Sequence, residues 1–165
     1  MHNNGPKELP SSLKVWTIWL LVLLLVFLGF KAWEREQGRS RFLVEDSGEI
    51  VLKRGPDGHF HWPGRLGDVE VMFMVDTGAT STALPEGLAR QAGLVSEGEV
   101  RSSTAGGIAR GWRARAHLQL DGGVEARQLP VTVLPQLDAP LLGMDMLSKL
   151  QMTMSGNELR LKGGR

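Results

Sequence analysis

The sequence predicts an all-β domain with one or two short helices, preceded by an N-terminal transmembrane helix. Three observations predict it. Residues Val15–Phe30 (VWTIWLLVLLLVFLGF) form an apolar run in which Thr17 is the one polar side chain. From Gly55 onward glycine and proline recur every few residues, a spacing suited to short strands joined by tight turns. Val69–Val75 (VEVMFMV) is strongly apolar and suits a buried strand, and it ends abruptly in the carboxylate of Asp76.

The chain has 165 residues, which suggests one domain plus an appendage. Its expected organisation is a polar lead over 1–14, an anchor over 15–33, a juxtamembrane linker over 34–47 and a folded domain over 48–165. A helix crosses a bilayer with about 20 apolar residues, roughly 17 at the least. Ala32 and Trp33 extend the run past Lys31, and Trp16, Trp19 and Trp33 stand near its ends, where interfacial tryptophans belong. A cleaved signal peptide would end its apolar region in a small-x-small site, whereas Lys31-Ala32-Trp33-Glu34 offers none. A retained anchor is therefore expected. Lys7, Lys14 and the amino terminus precede it, while Lys31, Arg35, Arg39 and Arg41 follow, a balance that mildly favours a cytoplasmic domain.

Beyond the charged linker, in which Phe42–Val44 has the character to dock on the domain, the elements follow in order. Ile50–Lys53 reads as a strand, Gly55-Pro56-Asp57-Gly58 as a turn, and His59–Leu66 as a second strand. Gly67-Asp68 turns the chain into Val69–Val75. Pro85–Ala92 is a short helix with Gly93 placed to cap its C-terminus. Glu99–Thr104 and Ile108–Leu120 flank Ala105-Gly106-Gly107 as a hairpin, and Asp121-Gly122-Gly123 leads into a returning strand, Val124–Leu134. Met144–Leu150 suits a second short helix, and Gln151–Met154 with Glu158–Lys162 a final hairpin.

Composition excludes several chemistries. Nineteen Lys and Arg against 18 Asp and Glu leave no basic excess of the kind nucleic-acid binding requires. With no cysteine there is no disulfide, no Cys-ligated zinc and no thiol nucleophile.

The informative stretch is Phe73-Met74-Val75-Asp76-Thr77-Gly78-Ala79-Thr80. A rigid apolar strand presents an ionisable group at its end. Gly78 permits a tight turn that a Cβ would obstruct, and Thr77 and Thr80 bring hydroxyls able to bond the backbone or the carboxylate. An isolated Asp-Thr-Gly is ordinarily a turn aspartate bonding its own loop. Here a second element, Leu141-Leu142-Gly143-Met144-Asp145, accompanies it.

These residues resemble the retropepsin-like aspartic proteases, and within them the bacterial, membrane-anchored, single-lobe branch. The resemblance rests on Asp57-Gly58-His59-Phe60, Phe73–Thr80, Leu94, Thr104-Ala105-Gly106-Gly107 and Leu141–Leu147, in family order between about Leu52 and Leu150. Two turns depart from the usual pattern: Gly106 replaces a common Asn in the hairpin, and Leu66-Gly67-Asp68 stands where Asn-Gly is frequent. The resemblance implies a closed retropepsin-like β-barrel lobe with Asp76 catalytic at a homodimer seam. It further implies an active-site turn of Thr77, Gly78, Ala79 and Thr80, and a flap of Thr104, Ala105, Gly106 and Gly107. Such proteases need two carboxylates sharing a proton. The chain has one Asp-Thr-Gly; Asp57, Asp68 and Asp121 lie in polar turns, so a second copy is the simplest source of the other carboxylate. The substrate is then a polypeptide, expected at or near the membrane. No cofactor, metal or nucleic acid is expected. The family usually places the protease on the periplasmic side of the bacterial inner membrane, against the mild count of charges.

Other candidates carry blander expectations. His59 and His61 fall on one face of a strand, but without a third ligand cluster nearby they suit packing or surface roles rather than metal. Asp145 is expected as a helix N-cap rather than a catalytic group. Arg101, Arg110, Arg113 and Arg115 crowd the hairpin with no acid between them, as a solvated face would, or as a surface attracting acidic substrate or anionic lipid would. Trp112 suits either a pocket wall or the hairpin base. The alternative function is a non-catalytic peptide-binding or dimerising module of this fold, tethered to the membrane. Loss of Asp76, Thr77 or Gly78 would mark it, and all three are intact.

Overall fold

The computed structural model describes residues 11–39, 41–45, 48–104 and 106–163, with side chains described over 15–31 in the first helix. The chain divides into two units between Gln37 and Gly38. The first holds all but the last two residues of helix α1 (Ser11–Arg39), 29 residues long, whose side chains over Val15–Phe30 are exposed. It continues through the start of the expected linker, where Glu, Arg and Gln are good helix formers. Among the described residues no helix is long and apolar enough to cross a membrane. Residues 1–10 of the polar lead lie outside the described residues.

The second unit is mainly β. Its strands are β1 (Phe42–Val44), β2 (Ile50–Lys53), β3 (His61–Leu66), β4 (Val69–Val75), β5 (Ala83–Pro85), β6 (Gly98–Thr104), β7 (Gly107–Leu120), β8 (Val124–Leu134), β9 (Leu141–Leu142), β10 (Leu150–Ser155) and β11 (Glu158–Gly163). Two short helices interrupt them, α2 (Glu86–Gln91) and α3 (Met144–Leu147).

The strands form two sheets, in the orders β1-β2-β11-β10 and β3-β4-β9-β5-β8-β7-β6. The larger sheet returns on itself through β3 and β7, which pair Gly64 with Leu120 and Leu66 with Leu118. A Cβ on Gly64 would strike the Gln119 carbonyl oxygen, so glycine is what lets these strands meet. The β lobe expected from the sequence thus takes the form of a ring of strands accompanied by a four-stranded sheet. The physical reason is that β2, β10 and β11 find their partners in one another, with β1 added at the edge.

One core joins both sheets. Along β7 the alternation is plain: Ala114, Ala116, Leu118 and Leu120 are buried between exposed Arg115, His117 and Gln119. Trp62, Phe73, Leu84 and Leu142 meet them from the ring, and Leu52, Leu159 and Leu161 from the second sheet. Burying each such aliphatic or aromatic side chain contributes about 1.5–3 kcal/mol. Trp62 is fully buried, and its indole N–H donates to the Asp121 carbonyl at 2.9 Å.

Helix α2 ends as predicted. Gly93 takes φ of 68°, its N–H bonds the Arg90 carbonyl at 3.0 Å, and the Leu94 N–H reaches Ala89 at 2.9 Å. Helix α3 is shorter than predicted, because Leu150 belongs to β10, where it pairs with Gly163.

Candidate active site

Strand β4 carries the aspartate to its place. Val71 and Phe73 are buried in the core, which fixes the register of the strand. Its last residues are held on both sides. The Val75 N–H donates to the Phe60 carbonyl at 2.9 Å and the Met74 N–H to Pro140 at 2.8 Å. β9 lies parallel to this end of β4, pairing Leu141 with Met74 and Leu142 with Val75. The Asp76 N–H then donates to the Leu142 carbonyl at 3.0 Å. Asp76 itself is half-buried, with one carboxylate oxygen, Oδ1, accepting the Gly78 N–H at 2.8 Å. A Cβ at Gly78 would come within 3.2 Å of that oxygen, so glycine keeps the turn open around the carboxylate.

The turn after Asp76 is clasped by the second element. The Met144 N–H donates to the Ala79 carbonyl at 2.8 Å and the Asp145 N–H to Thr80 at 3.2 Å. Gly143 is where the two segments touch: a Cβ there would lie 2.5 Å from the Ser81 carbonyl carbon and 2.8 Å from the Thr82 nitrogen. The clasp centres on Thr82, a buried polar residue of the core region, 1% exposed. Its N–H and hydroxyl donate to the two Asp145 oxygens at 2.9 and 2.8 Å, and its Oγ1 accepts the Gly143 N–H at 3.3 Å. Every buried side-chain polar atom among the described residues is satisfied.

Two expectations are corrected here. Thr77 and Thr80 are exposed, and among the described residues their hydroxyls have no hydrogen-bond partner; Thr82 fills the role expected of them. Asp145 is not the N-cap of α3. That position belongs to Gly143, and the Asp145 carboxylate turns to Thr82 and to the Met146 N–H at 2.9 Å. Thr82 was not singled out by sequence reasoning, whereas Gly143 stood within the Leu141–Asp145 element read there. The one available signal was a polar residue just before the apolar Ala83-Leu84 pair.

The expected flap is the end of the β6–β7 hairpin. Its strands pair from Gly98 with Arg113 to Thr104 with Gly107, so the hairpin turns between Thr104 and Gly107. Ala105 lies outside the described residues. Gly107 has φ of 109°, a conformation for which glycine is suited, and its carbonyl accepts the Thr104 hydroxyl at 2.8 Å. β7 pairs with β8 only from Trp112 onward, so Gly107–Gly111 is joined to β6 alone and the hairpin end projects as an arm. At its base, a Cβ on Gly111 would strike the Val133 carbonyl oxygen. No hydrogen bond between described residues joins the arm to the Asp76 turn.

His59 and His61 gather around Asp57. His61 Nε2 lies 2.7 Å from Asp57 Oδ2, and the His59 N–H donates to Oδ1 at 3.2 Å. Burial pushes the Asp57 carboxyl up, but the His61 hydrogen bond, the His59 amide and the charges of both imidazoles outweigh it and hold it below its ordinary value. Among the described residues no cluster of three or more His, Asp or Glu is arranged to hold a metal ion.

A family model described as "gag-polyprotein putative aspartyl protease" matches residues 62–149, from β3 through α3. The chain belongs to the retropepsin-like aspartyl protease family. The matched span holds the Asp76 turn, the arm and the Thr82–Asp145 clasp of this retropepsin-like chain. The crystal structure of a retropepsin-like aspartic protease from Rickettsia conorii superposes with a TM-score of 0.56 at 28% identity, covering 71% of this chain and 93% of that one. Two uncharacterized bacterial proteins are each 32% identical. One, from Sinorhizobium sp, aligns over 76% of this chain and 57% of its own length. The other, from Rickettsia prowazekii, aligns over 63% of this chain and 46% of its own. The chain thus spans about half the length of these curated relatives.

Proposed function

We propose that the protein is an aspartic endopeptidase in which two copies each contribute Asp76. The observation that carries this is the setting of that side chain. A half-buried carboxylate stands at the end of a core strand, and the turn beside it is held by backbone bonds rather than by its own hydroxyls. In such a dimer one Asp76 takes a proton from water as general base. The other, protonated, hydrogen-bonds and polarises the scissile carbonyl, so that water adds to carbon and the proton passes to the leaving amine. Thr77, Gly78, Ala79 and Thr80 shape the turn, and Thr104–Gly107 cover the bound peptide.

Helix α1 supports a tether. Its side chains from Val15 to Phe30 are all exposed, Val22 least at 43% and Trp16 most at 75%. A helix apolar on every face belongs in an apolar medium. Val15–Trp33 inserts in the bacterial inner membrane, with Lys31 snorkelling and the protease on the periplasmic side. Confinement to one plane raises the effective concentration of the two copies and so the active fraction.

The test is Asp76→Asn, nearly isosteric, in the full chain. Peptide cleavage should fall to background while the fold and dimer persist. Mixing that variant into wild type with exchange of copies should lower activity as the square of the wild-type fraction. A linear fall would exclude a shared pair, and full activity of Asp76→Asn would exclude aspartic catalysis.

A further inference from the structure

The arm has a face of its own. The parity that buries Ala114, Ala116 and Leu118 on β7 continues outward as Trp112, Arg110 and Ile108. Opposite these on β6 stand Glu99, Arg101 and Ser103. The face that is core beside β8 therefore becomes an open groove once β7 leaves its partner. This groove, about 610 Å³, is lined by Glu99, Val100, Arg101, Arg110 and Trp112, with Ser96 and Gly111 at its margins. Trp112 closes its inner end, packing on the core and lining the groove together.

Arg101 and Arg110 are direct cross-strand partners, and like charges so placed repel. Several arginines of the domain have carboxylates: Arg90 meets Glu86 at 2.8 Å, Arg115 meets Glu97 at 3.2 Å, and Arg160 meets three glutamates, while Arg54 and Arg65 bond backbone carbonyls. Among the described residues neither Arg101 nor Arg110 has an ion pair or side-chain hydrogen bond. Glu99, the groove's own carboxylate, is opposite Trp112 instead. The groove thus holds two facing guanidiniums whose mutual repulsion one external carboxylate would relieve, since a guanidinium fork matches a carboxylate's geometry.

We infer that this groove is a specificity subsite for an acidic side chain of the polypeptide substrate. Arg101 and Arg110 share its carboxylate, and Trp112, on the same face, carries its apolar stem. The inference rests on the endopeptidase reading, because it gives the arm a substrate to hold. A lipid headgroup is a poorer occupant: anionic membranes are read by clusters of about four to eight basic residues, and this groove combines two with a glutamate.

The test uses the full chain in neutral detergent and two peptide libraries, identical except that every Glu of one is Gln in the other. Wild type should cleave the Glu library about tenfold faster, the scale of one charge-assisted hydrogen bond. In Arg101→Gln/Arg110→Gln the Glu-to-Gln ratio should fall to about one. Arg113→Gln, on the opposite parity of β7, should leave the ratio as in wild type. Equal cleavage of both libraries by wild type, or a ratio that survives the double substitution, overturns the inference. If wild type cleaves neither library, the endopeptidase reading has failed, and binding decides the subsite. Fluorescence anisotropy with labelled libraries on the Asp76→Asn chain should then show a Glu preference that the two arginine substitutions remove; its absence overturns the subsite. Should the double substitution leave peptide selectivity intact but abolish a preference for phosphatidylserine over phosphatidylcholine vesicles, the arginines serve lipid and the inference is wrong.

Discussion

The turn after Asp76 and the arm that ends in Gly107 are held in opposite ways. The turn is bound from outside itself. Met144, Asp145, Gly143 and Leu142, all more than 60 residues away in sequence, bond its backbone or Thr82. Among the described residues the arm beyond Gly111 makes strand pairs only within its own hairpin, and Ile108 near its tip is 76% exposed. Low density of outside contacts is what permits local opening at small free-energy cost. One small domain thus fixes the Asp76 carboxylate firmly while leaving the arm loosely held, the arrangement that the proposed endopeptidase would need to admit a substrate.

The largest effect is expected at Gly143. Its substitution by Ala sets a methyl against the Ser81 backbone, and overpacking of this kind costs about 1–3 kcal/mol. Gly143→Ala should therefore lose both thermal stability and activity, measured by calorimetry and peptide cleavage on one preparation. Retained activity with a lowered midpoint would mean that the turn tolerates displacement. Thr82→Val tests the same clasp more gently. It removes the hydroxyl bonding Asp145 and Gly143 from a fully buried site, and about 1–3 kcal/mol of stability should go with it, visible as a lower denaturant midpoint at unchanged slope.

On the arm the order of effects should reverse. Gly106→Val with Gly107→Val strains a tip whose Gly107 has positive φ. Cleavage should fall about tenfold while the thermal midpoint moves by only a few degrees, because a tip that few contacts hold contributes little to global stability. Parallel loss of both would place the arm with the core. The smallest effect concerns Asp57. Its depressed carboxyl contributes stability at pH above the ordinary carboxylate range, and that contribution is lost as pH falls through the depressed value. Both the carboxylate and His59 are about half exposed, so screening leaves only a few tenths of a kcal/mol. Asp57→Asn should flatten the acid limb of a stability–pH curve without moving neutral-pH activity.

Much of this was legible in the sequence because strands with one buried face announce themselves. The alternation of β7, the apolar β4 and the glycine turns at 67, 93 and 107 are all local signals. The Asp76 turn was legible for the same reason, as an apolar run that stops at a carboxylate. The clasp was not. Thr82 and Asp145 are 63 positions apart, and neither residue type betrays a partner at that distance. β5 and β9 were unread as strands because three and two residues show no period. They exist because the ends of β4 and β8 offer them parallel edges. The second sheet was hidden likewise, since nothing local in Ile50–Lys53 says that it will pair with β11.

That pairing sets the timing of the protein's birth. β2 is bonded to residues 158–161, with Lys53 opposite Glu158 and Ile50 opposite Leu161, so the smaller sheet closes only after those distant residues have been made. Leu159 and Leu161 supply part of the shared core, and until they arrive β2 has only the three-residue β1 for a neighbour. Long-range pairing of this kind delays folding. A nascent chain thus reaches its Asp76 codon long before it has a domain in which that carboxylate can be positioned. The shared core around the Asp76 turn is therefore complete only after residues 158–161 have been made.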